Sequence, residues 1–261
     1  SGFCTLSLLI CRISADIPWI LRKFVLINPK EMIRIRCFYF NDFRERCSII
    51  WDETMEGVIV DPGCNTDDEK KVLYDFISRE GIHPVKILLT HGHFDHVLGL
   101  TECAKKYGIP VYMHPADKDI LKTDDFFTRT YGFSMPVIDV DTIDIADGDI
   151  IRFGNTEFEV ICTPGHTPGG VCFHDRKDKL LLSGDSLFAG SIGRTDHPGG
   201  DYDQLMESIF TRLMCLDGDT DVVPGHGPQT TIADERMKNP FLQPFNLPED
   251  SDTDYSTYET E

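Results

Sequence analysis

The chain has 261 residues, 41% of them hydrophobic, which suffices for one large domain or two small ones with a substantial core. Its formal net charge of −19 argues against nucleic acid as a partner, because phosphate binding needs clustered lysine and arginine. The nine cysteines are odd in number and contain no Cys-x-x-Cys pair, which favours reduced thiols in a cytoplasmic protein.

Both ends of the chain differ from its middle. Residues 1–31 are predicted to be an extension outside the core, because the first methionine and a strand-like segment both occur at Met32. A signal peptide is the alternative, since residues 3–11 are apolar, although a basic stretch and a small-residue cleavage site are missing. The segment 248–261 has six acidic and no basic residues, which predicts a disordered tail. Residues 32–247 would then form the functional domain, and no apolar run in the chain is long enough to suggest a membrane partner.

The first half of that domain alternates short apolar runs with helical patterns. A capping-box sequence, Thr66-Asp-Asp-Glu69, predicts the start of a helix that Gly81 ends. After a strand that begins at Met32, the patterns predict strands at 46–51, 57–60, 85–90 and 110–113, and helices at 66–79, 96–107 and 116–121.

The second half is richer in strands, and their alternation favours antiparallel pairing. The predicted elements are strands at 150–152, 156–162, 170–174, 179–183 and 220–223, and a helix at 202–214. By itself this pattern indicates a mixed α/β protein. Two packed sheets covered by helices would place the loops at the strand ends along one shared edge.

Metal-binding side chains are concentrated at those loops. The turn His91-Gly-His93-Phe-Asp95-His96 directly follows the apolar run 85–90, and further candidate ligands follow later apolar stretches: His166, Asp185 and His226. Imidazoles and carboxylates are the ligands that zinc and its first-row neighbours prefer. Packing alone does not explain four such groups within six residues.

Seven candidate ligands exceed the capacity of one tetrahedral ion, so the sequence predicts two metal ions that share a carboxylate. Structural zinc sites are usually rich in cysteine and closed by four protein ligands. Catalytic sites instead mix histidine with aspartate and leave a position for water. The site is therefore predicted to be catalytic, with zinc as the expected metal and iron or manganese as alternatives.

The His-x-His-x-Asp-His turn, followed by a later His, Asp and His in that order, resembles the metallo-β-lactamase superfamily over roughly residues 32 to 245. The resemblance implies an α/β fold of the αββα type, a four-layer sandwich. It also implies that His91, His93 and His166 hold one metal ion and Asp95, His96 and His226 the other, with Asp185 bridging the two.

Later motifs resemble the short glyoxalase II-like hydrolases within that superfamily: Gly184-Asp-Ser-Leu-Phe188, Gly193-Arg-Thr-Asp196, Gly199-Gly-Asp201, Pro224-Gly-His-Gly-Pro228, Glu235-Arg and Asn239-Pro-Phe-Leu242. This implies hydrolysis of a small thioester such as a hydroxyacyl-glutathione. The segment after His226 is short for the helical glutathione-binding domain of the longer glyoxalase II enzymes, so a lactone or another ester is an alternative substrate.

A second alternative is a persulfide dioxygenase, which the Gly-Arg-Thr-Asp loop also resembles and which would bind one iron through His91, His166 and Asp185. The glycine before His226 disfavours it, because that group usually replaces this residue. A non-catalytic scaffold is disfavoured because such a protein would be expected to have lost ligands, and none is missing.

Roles beyond metal binding are expected for two residues. Asp95 is predicted to take up the proton released during hydrolysis while also binding metal. Arg194 could pair with a substrate carboxylate, or alternatively form an internal salt bridge with Asp196 or Asp201. Asp61 is predicted to form a turn, and the four other histidines are predicted to be surface or supporting groups: His83, His114, His174 and His197.

Overall fold

The computed structural model describes residues 33–121 and 136–245. The predicted extension at 1–31 and the predicted tail at 248–261 lie outside these residues. Within the described part, no helix is long and apolar enough to cross a membrane.

Within the described residues, the first sheet has six strands whose order in the sheet follows their order in the chain. The first three strands pair antiparallel, and the remaining pairs are parallel. Its strands are β1 (Arg34–Phe40), β2 (Glu45–Trp51), β3 (Glu56–Val60), β4 (His83–Leu88), β5 (Val111–Met113) and β6 (Thr142–Asp144). Parallel strands need crossover connections, and the helices here are α1 (Asp67–Glu80), α2 (Phe94–Val97) and α3 (Leu100–Tyr107).

The second sheet also has six strands, in the order β14-β13-β10-β9-β8-β7, and a separate two-stranded hairpin lies beside it. The sheet contains β7 (Ile150–Phe153), β8 (Thr156–Cys162), β9 (Val171–Asp175), β10 (Leu180–Gly184), β13 (Asp221–Pro224) and β14 (Thr230–Thr231). The hairpin is β11 (Leu187–Phe188) and β12 (Ser191–Ile192), and the helices are α4 (Tyr202–Ser208, continued by the π-helical turn Ile209–Leu213) and α5 (Ile232–Lys238).

Alternating burial along the strands divides the hydrophobic core into three layers. Ile49 packs with α1 and α3, whereas its neighbour Ile50 packs between the two sheets. In the second sheet, Leu182 also lies between the sheets, and Leu181 packs with α4 and α5. Since successive strand residues point to opposite faces, each sheet is covered on both sides, and the predicted αββα sandwich is confirmed.

Helix α1 is capped at Thr66 and Gly81 as predicted, and its bounds lie one residue beyond the predicted range of 66–79. The Thr66 hydroxyl accepts a hydrogen bond from Glu69 N at 3.2 Å, and the Glu69 carboxylate accepts one from Thr66 N at 3.0 Å. Gly81 ends the helix at φ 69°. These contacts satisfy backbone groups that have no partner within the helix.

Several predicted boundaries were wrong. The single helix at 96–107 is two helices, because Gly99 N donates to Pro62 O rather than continuing the helical ladder. The helix predicted at 116–121 is only a 3-10 turn, Pro115–Asp117, and the strand at 85–90 is β4 at His83–Leu88. The sequence pattern also missed β6, β14 and α5, which depend on packing against the sheets and not on a strong local signal.

Candidate metal centre

The seven candidate ligands come together where loops leave the strand ends of both sheets. The backbone carbonyl of Thr90, just after β4, accepts a hydrogen bond from Val171 N of β9 at 2.8 Å and so joins the sheets beside His91. Asp185 follows β10 and His226 follows β13, and these two strands are parallel neighbours that end at the same edge. The sandwich thus concentrates residues that are up to 135 positions apart in the chain.

Three groups of these side chains lie close enough together to hold a metal ion. The first cluster is His91, His93 and His166, and the second cluster is Asp95, His96 and His226. A third group, formed by His91, His96 and Asp185, links the two. The first two groups contain the same residues as the two ligand sets that the family resemblance implied.

Distances within the clusters suit a small divalent ion. His93 Nδ1 lies 2.9 Å from His166 Nε2, His96 Nε2 lies 3.3 Å from His226 Nε2, and His226 Nε2 lies 3.2 Å from Asp95 Oδ2. Ligands placed tetrahedrally at Zn–N distances of 2.0–2.1 Å would be about 3.3 Å apart. The buried atoms His91 Nε2 and Asp185 Oδ1 have no hydrogen-bond partner within the described chain, as expected of atoms that would bind a metal ion.

Asp185 faces both clusters. Its Oδ2 lies 3.5 Å from His166 Nε2 of the first cluster and 3.6 Å from His226 Nε2 of the second. Its Oδ1 lies 3.5 Å from His96 Nε2. One carboxylate therefore reaches both positions at which an ion would sit.

Hydrogen bonds at the far side of each ring orient three of the histidines. His96 donates from Nδ1 to Asp61 Oδ2 at 3.1 Å. In the same way, His166 Nδ1 donates to Arg194 O at 2.7 Å, and His226 Nδ1 donates to Phe43 O at 3.1 Å. Each bond fixes the tautomer that leaves Nε2 free for a metal.

The family model of the metallo-beta-lactamase superfamily matches residues 42–226. The chain belongs to this superfamily. Hydroxyacylglutathione hydrolase GloC from Haemophilus influenzae is 36% identical to it, over 77% of this chain and 93% of that protein.

Two solved structures are also similar to this superfamily hydrolase. The crystal structure of the BLEG-1 B3 metallo-beta-lactamase is 34% identical, with a TM-score of 0.75, and the match covers 80% of this chain and 99% of that one. The protein TTHA1623, solved in a di-iron-bound form, is 36% identical, with a TM-score of 0.71 and coverage of 79% and 100%. These relatives confirm the predicted family and support a metal-dependent hydrolase with a dinuclear site of histidine and aspartate ligands.

Asp61 does more than form the turn that the sequence suggested. It adopts φ 49°, and its carboxylate accepts hydrogen bonds from Thr90 N at 2.8 Å and Thr90 Oγ1 at 2.6 Å, besides the bond from His96. The Thr90 hydroxyl in turn lies 3.0 Å from His91 Nδ1. Asp61 therefore supports one histidine in each cluster, and its position before Pro-Gly gave no signal of this.

Asp117 is a second supporting residue that the sequence did not reveal. Its fully buried carboxylate accepts hydrogen bonds from Gly92 N at 2.9 Å, Thr167 Oγ1 at 2.7 Å and Gly169 N at 2.6 Å. Burial raises the pKa of Asp117, and these hydrogen bonds act in the opposite direction. The carboxylate joins the loops that carry His91, His93 and His166, so it holds the first cluster together.

The two clusters differ electrostatically. Burial, reinforced by neighbouring imidazoles, lowers the pKa of each histidine in the first cluster. Burial also opposes protonation of His96 and His226, but nearby carboxylates outweigh it and raise both pKa values. The pKa of Asp95 is lowered: burial would raise it, but the charges of His96 and His226 prevail. Protons therefore compete with a metal ion more strongly at the second cluster than at the first.

Arg194 and His197 lie beside the first cluster. The Arg194 guanidinium pairs with the Asp196 carboxylate at 2.9 and 3.1 Å, which is the salt bridge considered as the alternative to substrate binding. Both partners of that pair are exposed, and exposed ion pairs contribute little to stability. The ring of His197 lies 4.6 Å from that of His93 and 4.9 Å from that of His166, beside the first cluster.

The other three histidines lie outside the clusters. His114 caps the 3-10 turn by accepting a hydrogen bond from Ala116 N at 3.3 Å. His83 is exposed on β4, and His174 is buried on β9.

Proposed function

We propose that this superfamily hydrolase uses two divalent metal ions to hydrolyse a small thioester of the hydroxyacyl-glutathione type. The observation that carries the proposal is the pair of three-residue clusters that share the Asp185 carboxylate. The similarity to GloC, which spans 93% of that protein, supports the thioester as substrate. Zinc fits the histidine-rich donor set, and the di-iron form of TTHA1623 makes iron an alternative.

When bound, the two ions would supply Lewis-acid chemistry, which acidifies water and polarises a carbonyl group. The residues of the chain orient this chemistry. His226 has 26% of its side chain exposed, whereas that of His96 is fully buried, so substrate would enter on the His226 side.

Asp95 is the residue we assign to proton transfer. Its Oδ2 lies 3.2 Å from His226 Nε2 at the more open side of the centre, and Asn41 Nδ2 fixes its backbone carbonyl at 2.9 Å. Attack of water on the thioester carbon releases one proton, and the C–S bond then breaks to leave a thiolate. Transfer of that proton from Asp95 to the thiolate would yield a carboxylic acid and a thiol.

Two features favour hydrolysis over the one-iron dioxygenase. That alternative would use His91, His166 and Asp185 and would leave the second cluster without a role. In addition, Gly225 leaves the space that the second cluster needs, since a Cβ at this position would collide with Asp185 Oδ1 and lie 2.8 Å from His96 Cε1.

The proposal is tested by measuring the metal content of the purified protein together with its activity on a substrate panel. The panel contains hydroxyacyl-glutathione thioesters, simple esters, lactones and a β-lactam. It also contains a persulfide, for which oxygen uptake is the readout. We expect two metals per chain and the highest kcat/KM for a thioester. His226→Ala should lose one metal and the activity, whereas the control His83→Ala should lose neither. Oxygen consumption with a single iron per chain would overturn the proposal, and preferred turnover of a lactone or β-lactam would overturn the substrate.

A further inference from the structure

Arg46 donates hydrogen bonds to the residues on both sides of His226, although it is not one of the seven candidate ligands. Its backbone N donates to Gly225 O at 2.7 Å, and its guanidinium Nη2 donates to Gly227 O. Phe43, on the β1–β2 turn just before Arg46, accepts the hydrogen bond from His226 Nδ1 at 3.1 Å. Gly225, His226 and Gly227 therefore all form hydrogen bonds with residues 43–46, at the end of the β1–β2 turn and the start of β2.

This arginine is placed at an energetic cost. It is only 2% exposed, and removal of a cation from water costs several kcal/mol unless an anion compensates it. Within the described chain, its Nε and Nη1 have no hydrogen-bond partner, and its Nη2 donates to two neutral oxygens, Gly227 O and Tyr39 Oη. The Tyr39 ring, 5.2 Å away, adds a cation–π contact. Ion pairing therefore does not explain why a guanidinium is buried here.

The His226 loop is the part of the centre that most needs external support. Two glycines flank the histidine, and Gly227 adopts φ 73°, a conformation that leaves the backbone little intrinsic preference. The His226 side chain is also more exposed than those of Asp95, His96, His166 and Asp185, which are 0–11% exposed. Fewer packing contacts thus hold its ring in place.

We propose that Arg46 is a positioning residue that fixes His226 and thereby sets the metal affinity of the second cluster independently of the first. The inference rests on the proposed two-metal function. The first cluster is held separately by Asp117, whose carboxylate binds Gly92, Thr167 and Gly169 and makes no hydrogen bond or ion pair to the His226 loop among the described residues. Loss of Arg46 should therefore weaken one ion and leave the other unchanged.

Charge and geometry predict opposite effects, which makes the role testable. A buried positive charge repels a nearby cation, so if charge dominated, removal of the guanidinium would tighten metal binding. If positioning dominates, Arg46→Met should weaken the second ion because His226 is no longer fixed. Arg46→Lys keeps the charge but lacks the planar fork that reaches Gly227 O, so it should weaken the second ion as well.

The experiment is a titration of the metal-free protein with Co²⁺, monitored by visible absorption and by metal stoichiometry, so that activity is not needed as a readout. We expect both Arg46 variants to bind the first ion normally and the second roughly 10- to 100-fold more weakly. Arg44→Met is the matched control, because Arg44 is exposed, lies two residues before Arg46 and also faces the Tyr39 ring at 5.7 Å. It should bind both ions like the parent protein.

A double variant and a stability measurement complete the test. In the His226→Ala background, Arg46→Met should cause no further loss of metal affinity, since the residue through which it acts is gone. Unchanged binding of both ions, tighter binding of the second in Arg46→Met, or equal weakening of both together with a lower melting temperature would each overturn the proposal. A parent protein that binds only one ion would overturn the two-metal function as well, whereas two bound ions without thioesterase activity would overturn only the proposed substrate.

Discussion

Asp61→Asn is the substitution that best separates support of the metal ligands from direct ligation. The Asp61 carboxylate accepts three hydrogen bonds, from Thr90 N, Thr90 Oγ1 and His96 Nδ1. Asparagine keeps the shape but replaces one acceptor oxygen with an NH2 group. At least one buried donor would then face another donor, or His96 would adopt the tautomer that protonates Nε2.

The size of the effect follows from these contacts. Loss of the carboxylate behind a metal-binding histidine costs roughly 10- to 100-fold in metal affinity, or about 1.4 to 2.7 kcal/mol. Because the Thr90 hydroxyl links Asp61 to His91, both ions should bind more weakly, whereas Arg46→Met is expected to weaken the second ion alone. The mismatched buried groups should also lower the free energy of unfolding of the metal-free protein by about 1–3 kcal/mol.

Metal affinities are measured by competition with a chromophoric chelator, and stability by urea unfolding. Asp52→Asn is the matched control, because Asp52 is also buried and accepts hydrogen bonds from Thr54 and Asn155, but contacts none of the candidate ligands. It should lose stability without losing metal. If Asp61→Asn kept both metal affinities and lost only stability, the reasoning would be refuted and Asp61 would be a turn residue alone.

Three further predictions address catalysis, proton binding and folding. A metal-replete Asp95→Asn protein should lose roughly 10²–10⁴-fold in kcat, and a near-normal kcat would leave Asp95 as a ligand only. As the pH falls, the second cluster should release its ion before the first cluster does, since the raised pKa values of His96 and His226 let protons compete with the metal at higher pH. The measurement is the metal content after dialysis at decreasing pH. Simultaneous release of both ions would contradict this prediction. Thr66→Ala should lower the free energy of unfolding by about 0.5–2 kcal/mol, through loss of the α1 cap, with kcat unchanged; an unaltered urea midpoint would show that the cap contributes nothing.

The candidate metal ligands could be predicted from the sequence because short motifs carry them. Four of the seven lie within one turn, and the other three follow apolar runs that became β8, β10 and β13. The start and end of α1 were equally local, since a capping box and a C-terminal glycine involve only neighbouring residues. Patterns of this kind can be recognised without knowledge of the tertiary structure.

The break between α2 and α3 was not readable in this way. The periodic apolar residues from His96 to Tyr107 suggest one continuous helix, but Gly99 N bonds to Pro62 O, which lies 37 positions earlier. A contact between distant segments thus overrides the local pattern.

The types and order of the candidate ligands, and the alternation that builds two covered sheets, follow from the sequence alone, because each depends on residues close together in the chain. Which nitrogen of each histidine faces the centre, and which residues support those rings, depends instead on how the two sheets pack. Asp61 reaches Thr90 across 29 positions, Asp117 reaches Thr167 across 50, and Arg46 reaches Gly227 across 181. Hydrogen bonds between segments so far apart leave no periodic trace in the sequence, since they exist only once the two sheets have packed together.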